Sequence, residues 1–109
     1  METQFQVRVY VGQKSNHKSG AVLQYSDIVI REAGLLSMAA LGIPGASMFH
    51  ATGVWEGNVE PATVFEFVVS ENNLELTAAF ASDMRREFEQ DAVLRTVQRV
   101  QADLHERKD

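Results

Sequence analysis

The chain has 109 residues, 45% of them apolar and 23% charged, with a formal net charge of −5 and no cysteine. This size and balance predict one domain with a real core, and exclude wholesale disorder, disulfide staples and thiolate metal sites. The acidic balance speaks against general nucleic-acid binding, and no stretch approaches the roughly 20 apolar residues of a membrane span.

The opening "METQFQVRVYVGQ" is polar and then alternating, which is not the pattern of a signal peptide. A cytoplasmic protein is expected, the host cytoplasm if a phage encodes it. Phe5, Val7, Val9 and Val11 fall on one face of a strand that ends at Gly12, and Arg8 and Tyr10 on the other. "GQKSNHKSG" then reads as a polar loop between two glycines.

Ser26 is the expected N-cap of a first helix over "DIVIREAGLLSMAAL", with Asp27 in the first turn, where a negative charge suits the dipole. Val29, Ala33, Leu36 and Ala40 recur at helical spacing and predict the buried stripe, with Ile28, Leu35 and Ala39 beside it. Gly34 weakens this helix by about 1 kcal/mol relative to Ala, a cost that close packing on a sheet would explain. Gly42 is the natural stop.

Ala46 to Val54 reads as a second strand and Thr63 to Val69 as a third, joined by the turn "GVWEGNVEPA". Depending on register, the second strand offers either Phe49 or His50 to the same face as Arg8 and Tyr10. Pro61 speaks against a central-strand position there, because proline donates no ladder hydrogen bond. Asn72 and Glu75 have the spacing of a capping box for a second helix. Its apolar stripe is Leu76, Phe80, Met84 and Phe88, joined by Thr77 and Ala81, and it ends near Gln90–Asp91. "AVLRTVQRVQADL", residues 92–104, fits either a helix or a strand; strand is preferred because the sheet needs a further partner. Residues 105–109 form a charged tail expected to fray.

The order strand, helix, strand, strand, helix, strand predicts an α+β, ferredoxin-like βαββαβ fold, an antiparallel sheet with two helices on one face. The helix-free face must be solvated, covered or buried in a homo-oligomer, and a dimer, trimer or hexamer is expected.

"LGIPGASMFHATGVWEG", Leu41 to Gly57, resembles the PII signal-protein family, on Gly42, Ile43 and Gly45 of the elbow and Gly53 of the turn. The resemblance implies the βαββαβ fold, often as trimers with ligands in clefts between subunits. The long loop of that family is missing, since only Val54 to Pro61 joins the two strands. "GVWEG", "EPATVFEF" and "REFEQDAVL" more loosely resemble small phage and bacterial proteins, some of them nucleotide-signal sponges of the anti-Thoeris type. That resemblance implies binding of a cyclic or cyclised nucleotide without cleavage.

Trp55 could pack on a neighbouring strand or subunit, or stack on a flat base with Glu56 or Glu60 accepting from its amine or ribose; stacking contributes on the order of 1–3 kcal/mol per base. Lys14, Ser15, Asn16, His17 and Lys18 gather cations and polar donors suited to phosphate, without P-loop spacing. Arg85 and Arg86 on the second helix, and Arg95 and Arg99 on one face of the last strand, are further candidates for an anion. His17, His50 and His105 lack metal-ligand spacing, so no metal is expected, and no cofactor motif is present. No nucleophile motif such as G-x-S-x-G occurs.

The residues therefore point to non-enzymatic capture of an anionic, nucleotide-like small molecule between subunits, as a phage anti-defence sponge or a PII-like sensor. Two alternatives stay open: a protein-interaction module, and a small dimeric α+β-barrel enzyme of the monooxygenase or isomerase type built around His50 and Tyr10.

Overall fold

The structure is a computed structural model describing residues 3–16 and 22–107; for Asn16 and Trp55 it describes the backbone alone. Strands β1 (Gln4–Gly12), β2 (Lys14–Asn16) and β3 (Val22–Gln24) are followed by helix α1 (Asp27–Leu41). Strands β4 (Ser47–Trp55) and β5 (Asn58–Ser70), a short 3₁₀ turn at Glu71–Asn73, helix α2 (Leu74–Glu87) and strand β6 (Leu94–Val100) complete the chain. The main sheet has the order β4-β5-β1-β6 with every neighbour antiparallel, and two helices complete the expected ferredoxin-like α+β order. Residues 92–104 thus resolve as a strand over their central part, and residues 101–107 are exposed, without helix or strand.

Alternation decides which side of the sheet is buried. Val7, Val9 and Val11 stand opposite Phe67, Phe65 and Thr63, and all six are fully buried. Ile30 and Met38 from α1 and Phe80 and Met84 from α2 close the core over them. Phe80 meets Phe65 and Phe67 edge-on, with ring centroids 4.9 and 5.1 Å apart. Each such buried side chain contributes about 1.5–3 kcal/mol of transfer free energy. Two polar ties anchor α1. Ser26 caps it through Val29 N, and Thr63 Oγ1 on β5 donates to Asp27 Oδ1 at 2.6 Å.

Five local expectations change. The polar loop after Gly12 is in part an antiparallel ribbon, β2 paired with β3. Its His17 and Lys18 lie outside the described residues. On α1 the buried row is Ile30, Gly34 and Met38, whereas Val29 and Leu36 are 46% and 74% exposed. The helix is apolar nearly all round, so periodicity could not choose its inward face; close approach to Phe65 does. An ideal Cβ at position 34 would lie 2.3 Å from Phe65 Cε1. The second helix starts after Asn73, whose side chain makes no cap hydrogen bond, so the Asn72–Glu75 capping box does not form. The "GVWEGNVEPA" turn shrinks to Glu56–Gly57, with φ of 49° and 79°. Positive φ at both central residues is the two-residue hairpin geometry that matches strand twist, and Gly57 adopts it without steric cost.

Lastly, Pro61 does lie in a central strand, but where β1 has already run out. The last β1–β5 pair is Gly12 with Ala62, whereas β4 and β5 continue through Thr52–Pro61 to Trp55–Asn58. Gln13 N still donates to Pro61 O at 3.0 Å. The hairpin therefore extends past the sheet as a two-stranded arm.

Candidate functional site on the open sheet face

Residues on β1, β4 and β5 that point away from the helices share one face. Arg8 stands opposite Glu66, and Val64 lies between Tyr10 on β1 and Phe49 on β4. The register settles the choice left open by the sequence: Phe49 belongs to this face. His50 stands opposite Thr63, which bonds to α1, so His50 and Tyr10 lie on opposite sides of the sheet.

Arg8 Nε donates to Glu66 Oε1 at 2.8 Å. The Arg8 and Glu66 side chains are 41% and 22% exposed, so the pair is wetted and only half withdrawn from solvent. Hydrogen bonding to Glu66 first, and to Tyr10 second, holds the Arg8 guanidinium above its ordinary value. Arg8 Cζ also stands 5.9 Å from the centroid of the Phe49 ring, within range of a cation–π contact. Glu66 Oε2 takes no hydrogen bond among the described residues. The face thus combines a partly exposed carboxylate oxygen, an aromatic ring and a phenol. Chemically, that set suits a compact organic cation attached to a flat ring system.

The residues expected to bind ligand are distributed differently. Lys14 is exposed on β2, and Asn16 ends that strand. Trp55 is the last residue of β4, and Glu56 forms the turn beside it. Arg85 and Arg86 are exposed in the last turn of α2, where Arg86 pairs with Asp83. Arg95 and Arg99 do share one face of β6, opposite Val9 and Phe5, but this is the helix side. Arg95 Nε donates to Thr77 Oγ1 and its Nη2 to Leu74 O, both at 3.1 Å, which ties β6 to α2. These positions lie on several elements, two of which meet: Ser15 Oγ on β2 donates to Glu89 O at 2.6 Å and Gln90 Nε2 to Lys14 O at 3.2 Å, which sets β2 against the end of α2.

Glu66 was missed by sequence reading. Its signal was present as a lone carboxylate in the apolar strand "TVFEFVV", matching the lone arginine of "VRVYV". Opposite charges directly across antiparallel strands are a recognised pairing. No group of three or more potential metal ligands occurs among the described residues. A groove of about 560 Å³ lies elsewhere, between α1 and α2, lined by Tyr25, Ala33, Leu36, Ser37, Asp83, Met84, Arg86, Glu87 and Glu89. Asp83 is already taken there by Ser37 Oγ, at 2.8 Å, and by Arg86, so the open sheet face carries the better-poised chemistry.

No family model and no curated protein matches the chain. Among solved structures it is similar to a phage SAM lyase in its apo state, at 18% identity and a TM-score of 0.68, covering 95% of this chain and 94% of that one. It is also similar to a phage SAM lyase in complex with S-methyl-5′-thioadenosine, at 19% identity and a TM-score of 0.69, covering 91% of this chain and 83% of that one. The likeness is one of fold. It bears out the looser resemblance to phage proteins in its coarse form, and one neighbour holds an adenosine-type small molecule. It overturns the expectation of a non-enzymatic sponge or sensor, because these neighbours are lyases. No helix among the described residues is long and apolar enough to cross a membrane.

Proposed function

We propose that this chain is an enzyme that cleaves S-adenosylmethionine to S-methyl-5′-thioadenosine at the open sheet face around Arg8, Tyr10, Phe49 and Glu66. The observation that carries the reading is a fold shared along nearly the whole chain with phage SAM lyases, one of them holding S-methyl-5′-thioadenosine. The Arg8–Glu66 face supports it independently, since its charge and ring character suit a sulfonium attached to an adenosine.

S-methyl-5′-thioadenosine keeps the methyl and adenosyl carbons of the sulfonium, so the bond that breaks joins sulfur to the aminocarboxypropyl chain. Sulfur leaves with both electrons as a neutral thioether. The carbon it leaves can be satisfied without water by the substrate's own carboxylate, which closes a five-membered lactone and moves no proton. The protein then has to hold the substrate folded, with carboxylate oxygen and carbon in line, and to seat the cation. Phe49 and Tyr10 provide the aromatic wall, Glu66 meets the positive sulfur, and Arg8 fixes Glu66.

The test is incubation of the purified chain with S-adenosylmethionine in ¹⁸O-labelled water, with mass spectrometry of the products. S-methyl-5′-thioadenosine with an unlabelled lactone is expected, and Glu66→Gln should slow its formation. Intact substrate after prolonged incubation, with no binding of S-methyl-5′-thioadenosine, would sink the proposal. Homoserine released directly, with ¹⁸O on its hydroxyl and no lactone before it, would replace lyase by hydrolase chemistry.

A further inference from the structure

Strand β1 ends at a glycine, and oxygens close around the place where its side chain would stand. An ideal Cβ at Gly12 would lie 3.0 Å from Gln90 Oε1, 3.8 Å from Lys14 O and 3.9 Å from Glu60 Oε2. Lys14 O already accepts from Gln90 Nε2, which also donates to Phe88 O, at 3.2 Å in each case. These two bonds use both hydrogens of the amide and fix its head group, and Gln90 is only 9% exposed. Gln90 Oε1 takes no hydrogen bond among the described residues, and neither does the Glu60 carboxylate.

Alternation puts this cradle on the open sheet face. Gly12 follows Arg8 and Tyr10 at every second position of β1, as Glu60 precedes Ala62, Val64 and Glu66 on β5. Gly12 stands opposite Ala62, and Ala62 opposite Ala51, so three small residues lie side by side across β1, β5 and β4. Tyr10, Val64 and Phe49 bound this floor on one side, and Glu60 and Gln90 on the other. Ala62 is about 14 Å from Glu66 along the extended strand. A contact of about 3 Å at each end leaves room for an extended adenosine, from its 5′ sulfur to its exocyclic amine.

We propose that Gln90 Oε1 and Glu60 Oε2 read the adenine of the substrate, each accepting from one hydrogen of the exocyclic amine while the ring lies over Gly12, Ala62 and Ala51. The amine falls at Gly12 only if the sulfonium sits at Glu66, so the assignment rests on the lyase reading. The ribose hydroxyls also donate, but they lie too near the sulfur to span the distance. Both waiting atoms are acceptors. An amine satisfies them, whereas an oxo group in its place sets acceptor against acceptor and leaves both unpaired.

The test compares S-adenosylmethionine with its oxo analogue, S-inosylmethionine, by kcat/KM, and the two corresponding methylthionucleosides by calorimetric binding. The amine form should be favoured by about tenfold or more in both. Glu60→Gln carries an amide that donates to the oxo group, and should narrow the preference by admitting the inosine form. Its Tm should stay unchanged, because Glu60 is half-buried and makes no hydrogen bond among the described residues. Cleavage of both sulfonium compounds at equal kcat/KM, or a preference that Glu60→Gln leaves untouched, would overturn the cradle while the lyase reading stands. Neither cleavage nor binding of either form would remove both.

Discussion

Substitution of Gly34 by alanine sets two effects against each other, and the structure decides the sign. Helix propensity alone favours alanine by about 1 kcal/mol. The new Cβ, however, would stand 2.3 Å from Phe65 Cε1 and 2.4 Å from Cζ, where carbon atoms prefer about 3.5–4.0 Å. More than an ångström of movement is required. Phe65 cannot supply it freely, because it is fully buried and braced edge-on by Phe80 at 4.9 Å. Overpacking of a filled core costs about 1–3 kcal/mol, and this contact belongs at the upper end. The net expectation is a loss of about 1–2 kcal/mol, or roughly 5–15 °C in Tm for a domain of this size. Urea and thermal unfolding measure it directly. Phe65→Leu made alone should destabilise, yet in the Gly34→Ala background it should recover part of the loss, as a double-mutant cycle for touching residues requires. A Gly34→Ala chain at least as stable as wild type would show that α1 does not seat on Phe65, and the assignment of its buried row would fall with it.

The remaining predictions concern the site and its supports. Glu66→Gln keeps the shape of the side chain but removes its charge, and should lower the rate of S-methyl-5′-thioadenosine release at least tenfold, about 1.4 kcal/mol of barrier, with an unchanged Tm; product formation in a discontinuous assay reads this. Arg95→Met should cost about 1 kcal/mol in urea unfolding, through loss of its bonds to Thr77 and Leu74, and leave turnover unchanged. Thr63→Val strands Asp27 Oδ1 without its donor and should cost about 1–3 kcal/mol in the same measurement. Saturating S-methyl-5′-thioadenosine should raise Tm, since a ligand at about 100 times its Kd stabilises by about 2.7 kcal/mol.

Much of the fold was legible because alternation and capping are local. Val7, Val9 and Val11 name the buried face of β1, and Ser26 marks the start of α1. The last strand was preferred on a sheet-level need rather than on its own pattern, and β6 does pair with β1. What periodicity could not settle was any element with apolar residues on every side. On α1 the choice of inward face rests on one tertiary contact, Gly34 against Phe65, and no local pattern encodes it. The site was half legible. Arg8 and Tyr10 were placed on the outward face, and the register then chose Phe49 over His50. Glu66 escaped because a single carboxylate in a strand has no motif, and its meaning depends on standing across from Arg8. Positive charge drew the expected anion site toward Lys14, Arg85, Arg86, Arg95 and Arg99, and of these Arg95 turns its donors to Thr77 and Leu74, a direction that no local pattern encodes.

The arm formed by the ends of β4 and β5 has a kinetic consequence. From Gly53–Glu60 to Trp55–Asn58 it consists of two strands with no third paired to them among the described residues, and a lone two-stranded ribbon is marginally stable in water. Its amides should therefore exchange with deuterium through local opening, long before those of β1 or the central part of β5, which await global unfolding. Exchange in the arm and melting of the domain are thus separate clocks. A molecule that grips the folded arm would slow both, because global unfolding destroys its site as well, whereas one seated on Arg8 and Glu66 alone would slow the second and leave local opening of the arm untouched.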